Sequence, residues 1–158
     1  MKDLSQIISD YRAYHTQPIT KYTHYIGVPM IVFSLMIFLS WISISIRPII
    51  NISLMWVVII YLSLYYIKLD KGLGFSIALV FFLLGLIAGG ITQYSVNKHG
   101  LLTFLFMFIL GWIIQLLGHQ YEGRKPAFFD NLMQVFAAPV FIALELSVLF
   151  GLRKDLDI

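Results

Sequence analysis

The chain has 158 residues, 59% of them hydrophobic and 12% charged, with a mean hydropathy of +0.86. A soluble domain is typically about 45–50% apolar and about 25% charged, and so few charges cannot cover the surface of one. An ordinary cytosolic domain, a disordered chain and a coiled coil are excluded; the composition is that of an integral membrane protein. With no cysteine, disulfides, thiolate zinc sites, iron–sulfur clusters and cysteine nucleophiles are excluded as well. The formal charge of +3 comes from scattered Lys and Arg. Without a basic stripe, such charges set topology and meet anionic head groups; they do not mark a nucleic-acid partner.

The first segment lacks the continuous apolar run of a signal peptide. Leu4, Ile7, Ile8 and Tyr11 recur at helical spacing among polar residues, which predicts a short amphipathic helix lying on the membrane or against the bundle. Pro18 interrupts it, and a second helix is expected from Thr20 or Thr23, either of which is a good N-cap type. Five apolar stretches follow, each near the roughly 20 residues that cross a hydrocarbon core: Val28–Ile46, Ile49–Ile67, Leu73–Tyr94, Leu101–Gly118 and Leu132–Gly151. The third carries Gly85-x-x-x-Gly89, a pattern that can notch one helix into another. The expected fold is all-α: about five transmembrane helices plus the N-terminal amphipathic helix, in a single compact bundle. Residues 1–27 would be interfacial helices and 28–151 the transmembrane part of one membrane-embedded domain.

Orientation follows from the basic residues. With the N-terminus inside, the inner segments hold Lys2, Arg12, Lys21, Lys68, Lys71, Arg124 and Lys125, and the outer ones Arg47, Lys98, Arg153 and Lys154. The bias favours a cytoplasmic N-terminus. The same count puts His15, His24, His119 and Glu122 at one face and His99 at the other.

His15 and His24 are nine residues apart, and at about 100° per residue one unbroken helix would point them opposite ways. The break at Pro18 lets both turn inward. His119 and Glu122, three apart, share a face if the fourth span continues past Gly118, with Gln115 and Trp112 on earlier turns of it. Asp130 and Asn131 are N-cap types at the entrance of the last span. Three histidines with carboxylates and no thiolate suit Fe(II), Mn(II) or Zn(II), although an interfacial histidine is equally at home bonding head groups. Glu145 lies inside the last apolar stretch. There it orients a ligand histidine, or lies shallow and pairs with a Lys or Arg, or is simply protonated.

Two segments carry a resemblance: YRAYHTQPITKYTHYIGVP, from Tyr11 to Pro29, and GWIIQLLGHQYEGRKPAFFDNLMQVFAAPVFIALE, from Gly111 to Glu145. In this order they resemble the membrane Fe(II)-dependent 2-hydroxy fatty acid dioxygenases of fatty acid α-oxidation, whose eukaryotic members serve phytosphingosine breakdown in the endoplasmic reticulum. The resemblance implies His15, His24 and His119 as iron ligands, with Glu122 as a fourth ligand or a base beside them. His99 has no counterpart. Gln115, Asn131 and Glu145 would stand around the centre, and Arg12, Lys21, Arg124 and Lys125 are available to attract a carboxylate. A 2-hydroxy acid can chelate one iron through its carboxylate and hydroxyl while O2 takes another position, so a long-chain substrate would be shortened by one carbon without 2-oxoglutarate. Its head group would meet the metal at the membrane face while the tail stays among the apolar spans.

Other readings remain open on the residues alone. A lipid hydroxylase, desaturase or zinc hydrolase would keep the metal, but two-iron hydroxylases use repeated histidine boxes and this chain has four histidines in all. A small transporter or lipid-binding scaffold would carry polar residues through several spans, whereas here they gather at one face. The short C-terminus and the absence of a retention signal favour a bacterial inner membrane over the endoplasmic reticulum.

Overall fold

The computed structural model describes residues 4–14, 17–47, 50–123 and 134–151. Among these, six helices and one β-hairpin are formed: α1 (Leu4–Tyr14), α2 (Pro18–Ser40), β1 (Ser43–Arg47), β2 (Ile50–Ser53), α3 (Leu54–Leu69), α4 (Lys71–Thr92), α5 (Lys98–Glu122) and α6 (Gln134–Leu149). The helices α2, α4 and α5 are long and apolar enough to cross a membrane, consistent with a membrane protein. The other two apolar helices, α3 and α6, have 16 residues each, about 24 Å of helix against a hydrocarbon core of about 30 Å.

The hairpin corrects the expectation that one span runs to Ile46 and the next begins at Ile49. Ser-Ile-Ser-Ile and Ile-Asn-Ile-Ser alternate with period two and are rich in β-branched residues, which suits paired strands rather than helix. Ser43 pairs with Ser53 and Ile44 with Ile52, antiparallel, with a bulge between Ser45 and Arg47. Ser53 then caps α3, its hydroxyl accepting from Met55 N at 3.2 Å. The second helix starts at Pro18 rather than at Thr20 or Thr23, because proline at the first helical position gives up an N–H that has no intrahelical partner anyway. It then runs unbroken to Ser40, so the second helix and the first span are one element across residue 27.

Asp70 alone joins α3 to α4. Its backbone N–H bonds Tyr66 O at 3.0 Å and its carboxylate accepts from Leu73 N at 2.8 Å, ending one helix and capping the next. The two helices run antiparallel, with Gly85 seated under Ile59 and Trp56; of the glycine pair expected to notch this span into a neighbour, Gly85 does so, while Gly89 faces the Tyr94 ring in the turn that follows α4. At the far end Thr92 Oγ1 lies 2.8 Å from Ser40 Oγ and donates to Ala88 O at 2.9 Å, so α2 and α4 are parallel and pinned together. Asn97 caps α5 by accepting from Gly100 N at 2.8 Å. On α1, Leu4 and Ile7 pack against the core and Ile8 is buried, and α1 rests on α6.

The seam between α2 and α5 is the most extensive helix contact in the molecule's described part. They are antiparallel: Phe38 stacks beside Phe104, Gly27 lies against Gln115 and Gly111, and Gly118 lies against Thr20 and Thr23. Small residues at such a seam let two backbones approach and gain dispersion contact where lipid offers no hydrophobic drive.

Candidate metal centre

Where that seam reaches one end of the bundle it carries two histidines. His24 stands in the second turn of α2 and His119 in the last turn of α5, which does continue past Gly118. Both are buried, at 5% and 6% exposure. Their ring centroids are 5.0 Å apart with planes at 81°.

His24 Nδ1 lies 2.7 Å from Thr20 O. A carbonyl only accepts, so Nδ1 carries a hydrogen and the ring could reach a metal only through Nε2. A metal-binding histidine commonly has this arrangement, with its second ring nitrogen donating to a carbonyl. Imidazole nitrogens bind divalent first-row metals at about 2.0–2.1 Å, which places the ring centres of two neighbouring ligands roughly 4.5–5 Å apart. The 5.0 Å spacing of the pair lies within that range. Among the described residues no third His, Asp or Glu joins them.

The other expected site residues are distributed as follows. Gln115 is buried one turn before His119, its side chain filling the space over Gly27. His15, Arg124, Lys125 and Asn131 lie outside the described residues; Arg12 and Glu122 belong to α1 and α5, but their side chains are outside the description. His99 is in the first turn of α5, 20 residues before His119, hence about 30 Å away along the helix.

Glu145 is held by a cation and a phenol. Lys21 Nζ lies 2.9 Å from its Oε1, and Tyr25 donates to its Oε2. The Lys21 ammonium also sits 5.8 Å over the Phe141 ring. Of the roles open to Glu145 on the sequence, the structure shows the ion pair. Tyr25 was not singled out in the sequence, although it is four residues after Lys21 and so shares its face of α2. Thr20 and Thr23, expected as N-caps of the second helix, instead lie inside it and hold the seam. Thr20 Oγ1 donates to Gly118 O at 3.1 Å, and Thr23 Oγ1 donates to Thr20 O at 2.8 Å. A hydrogen-bonded route thus runs from the His24 ring through Thr20 to the residue preceding His119.

These features describe a helical protein, consistent with a membrane protein, that carries a buried pair of imidazoles at one end of its bundle. The family model described as 2-hydroxy-palmitic acid dioxygenase Mpo1-like matches residues 1–149. The 2-hydroxy-palmitic acid dioxygenase MPO1 of Saccharomyces cerevisiae is 34% identical over 159 positions, covering 98% of this chain and 85% of that protein. No solved structure matches. The chain belongs to the Mpo1-like family, in agreement with the resemblance carried by its two histidine-containing segments.

Proposed function

We propose that the protein is an Fe(II)-dependent dioxygenase that uses O2 to cleave long-chain 2-hydroxy fatty acids to acids one carbon shorter. The observation that carries this reading is the buried, correctly spaced His24–His119 pair in a chain of this family. The yeast relative is named for 2-hydroxy-palmitic acid, which supports a long-chain substrate here.

His24 and His119 would hold the metal, and His15 and Glu122 are the further donors expected. Bound Fe(II) would supply the oxygen-activating chemistry. A 2-hydroxy acid and O2 balance against the shortened acid, CO2 and water, so no external reductant is required. The chain's own contribution is positional. The Thr20 carbonyl fixes the direction of the His24 ring, and the glycine seam sets the distance to His119. Lys21 is partly exposed, at 36%, and its ammonium has three donors. It keeps capacity for a substrate carboxylate beyond its bond to Glu145, alongside Arg12, Arg124 and Lys125. The excess of basic residues on the histidine side favours the cytoplasmic face for the N-terminus and this site, with a bacterial inner membrane as the expected host.

The test is oxygen uptake by detergent-purified protein reconstituted anaerobically with Fe(II), with products identified by mass. A 2-hydroxy fatty acid should yield the acid one carbon shorter. His24→Ala and His119→Ala should lose both uptake and bound iron, and His99→Ala should keep them. A folded sample that neither binds iron nor consumes oxygen sinks the proposal.

A further inference from the structure

We propose that the groove enclosed by α2, α4 and α6 is the binding site for the acyl tail of the lipid substrate; the identity of that substrate rests on the dioxygenase reading. The groove has a volume of about 300 Å³. Its walls are Val28, Pro29 and Val32 of α2, residues between Leu73 and Leu84 of α4, residues between Pro139 and Ser147 of α6, and Phe150 just beyond it.

The lining shows what kind of molecule fits. Ser76 and Ser147 supply its hydroxyls, and both are turned back onto their own helices. Ser76 Oγ donates to Gly72 O at 3.1 Å and Ser147 Oγ to Leu144 O at 2.6 Å. What remains facing the groove is hydrocarbon, with no directed donor or acceptor for a polar ligand. Pro29 and Pro139 both lie in helix interiors and both line the groove. Each lacks an N–H, so the carbonyl four residues earlier has no intrahelical donor there. The small side chains of Ser76, Ala143 and Ser147 leave the rest of the space.

Register ties the groove to the histidines. The Ser40–Thr92 contact sets parallel α2 and α4 with an offset of 52 residues. Leu73 is then level with Lys21, Ser76 with His24, and Leu84 with Val32. The groove therefore begins at the depth of the metal-binding pair and runs from there toward the opposite end of the bundle. On α2 its first wall residue, Val28, is one turn beyond His24 on the same side. From Leu73 to Leu84 is about 16 Å of helix, room for about a dozen methylenes at roughly 1.3 Å of advance per C–C bond. A molecule with its polar end at His24 and a long, unbranched tail matches this shape; a short or polar one does not.

Two measurements test the assignment. In the first, iron-free protein in nanodiscs is photolysed with a 2-hydroxy hexadecanoic acid bearing a diazirine near its tail end, and labelled peptides are mapped by mass. Label should concentrate in 73–84 and 139–150 and be competed out by unlabelled 2-hydroxy hexadecanoic acid. Label spread evenly onto outward-facing residues such as Phe106, Ile109 and Ile113 of α5, without competition, marks ordinary annular lipid and overturns the site. In the second, Val80→Trp obstructs the groove one turn beyond Ser76. The ratio of turnover on C16 to turnover on C10 2-hydroxy acids should fall at least tenfold. An unchanged ratio in an active variant refutes the groove while leaving the dioxygenase reading standing. Wild-type protein inert on every chain length refutes that reading instead, and the labelling experiment still decides the groove.

Discussion

Gly118 is the residue on which the spacing of the two histidines turns. A Cβ built there would stand 2.0 Å from Thr23 Oγ1 and 3.1 Å from Thr23 Cβ, where ordinary contact begins near 3.4 Å. Gly118→Ala must therefore move the α2–α5 seam by about 1.4 Å or rotate Thr23 away from its bond to Thr20 O. Overpacking of this kind costs about 1–3 kcal/mol, and the better helix propensity of alanine returns about 1 kcal/mol. Net stability should thus fall by no more than about 2 kcal/mol. The site should suffer far more, since a displacement near 1 Å can cost roughly a hundredfold in a positioned centre. Bound iron and oxygen uptake should drop accordingly, while the thermal midpoint in detergent moves only modestly. Thr23→Ala removes the hydroxyl and leaves only the 3.1 Å contact, so Gly118→Ala/Thr23→Ala should recover most of the loss, a coupling that a double-mutant cycle reads directly. Gly90→Ala is the control: nothing lies within 4 Å of its position, and it should stabilise by about 1 kcal/mol. Full iron binding in Gly118→Ala, or a double variant no better than the single one, would refute the idea that this seam sets the site.

The ion pair and the helix caps give two further tests. Glu145→Ala leaves the Lys21 ammonium and the Tyr25 hydroxyl without their acceptor in a partly buried setting, and should cost about 1–3 kcal/mol in unfolding by detergent titration. Replacing the whole cluster, as Lys21→Met/Tyr25→Phe/Glu145→Leu, should come close to the parent; a triple variant as unstable as Glu145→Ala would show that the cluster is not the source. Asp70→Ala removes the N-cap of α4 and should cost about 1 kcal/mol. The iron content of the purified protein should stay unchanged, because the α3–α4 turn makes no part of the histidine seam.

What the sequence makes legible here follows from which physical signals survive in an apolar chain. Histidines and charges are rare enough to stand out, so the side shared by His24 and His119, and the isolation of His99, can be read by counting crossings. Ile-rich segments are the opposite case. A transmembrane helix and a buried strand both favour Ile, and the period-two alternation of Ser43–Ile46 and Ile50–Ser53 is short enough to vanish inside a hydropathy window. The seam is hidden for another reason. A search for Gly-x-x-x-Gly finds Gly85 and Gly89, but the closest approach at the site uses Gly111 and Gly118 of one helix against Gly27, Thr20 and Thr23 of another. Complementarity between two distant segments leaves no periodic mark in either. Tyr25 is concealed likewise, since its partner Glu145 is 120 residues away.

The arrangement also distributes charge in a way that bears on how a metal would be held. Deep in an apolar bundle, a lone carboxylate near two imidazoles would be the natural counter-ion for a dication. Glu145 is not free to serve, because Lys21 and Tyr25 already engage both of its oxygens. Two imidazoles add no negative charge, and the bond from Nδ1 to Thr20 O means that His24 could reach a metal only through Nε2. The charge of Fe(II) would then be met by other anions, of which Glu122 and the carboxylate of the substrate itself are the ones the dioxygenase reading supplies. A centre left short of anionic ligands in this way would hold its substrate's acid group more tightly than a neutral lipid of the same length, and the 2-hydroxy acid would complete the site it enters.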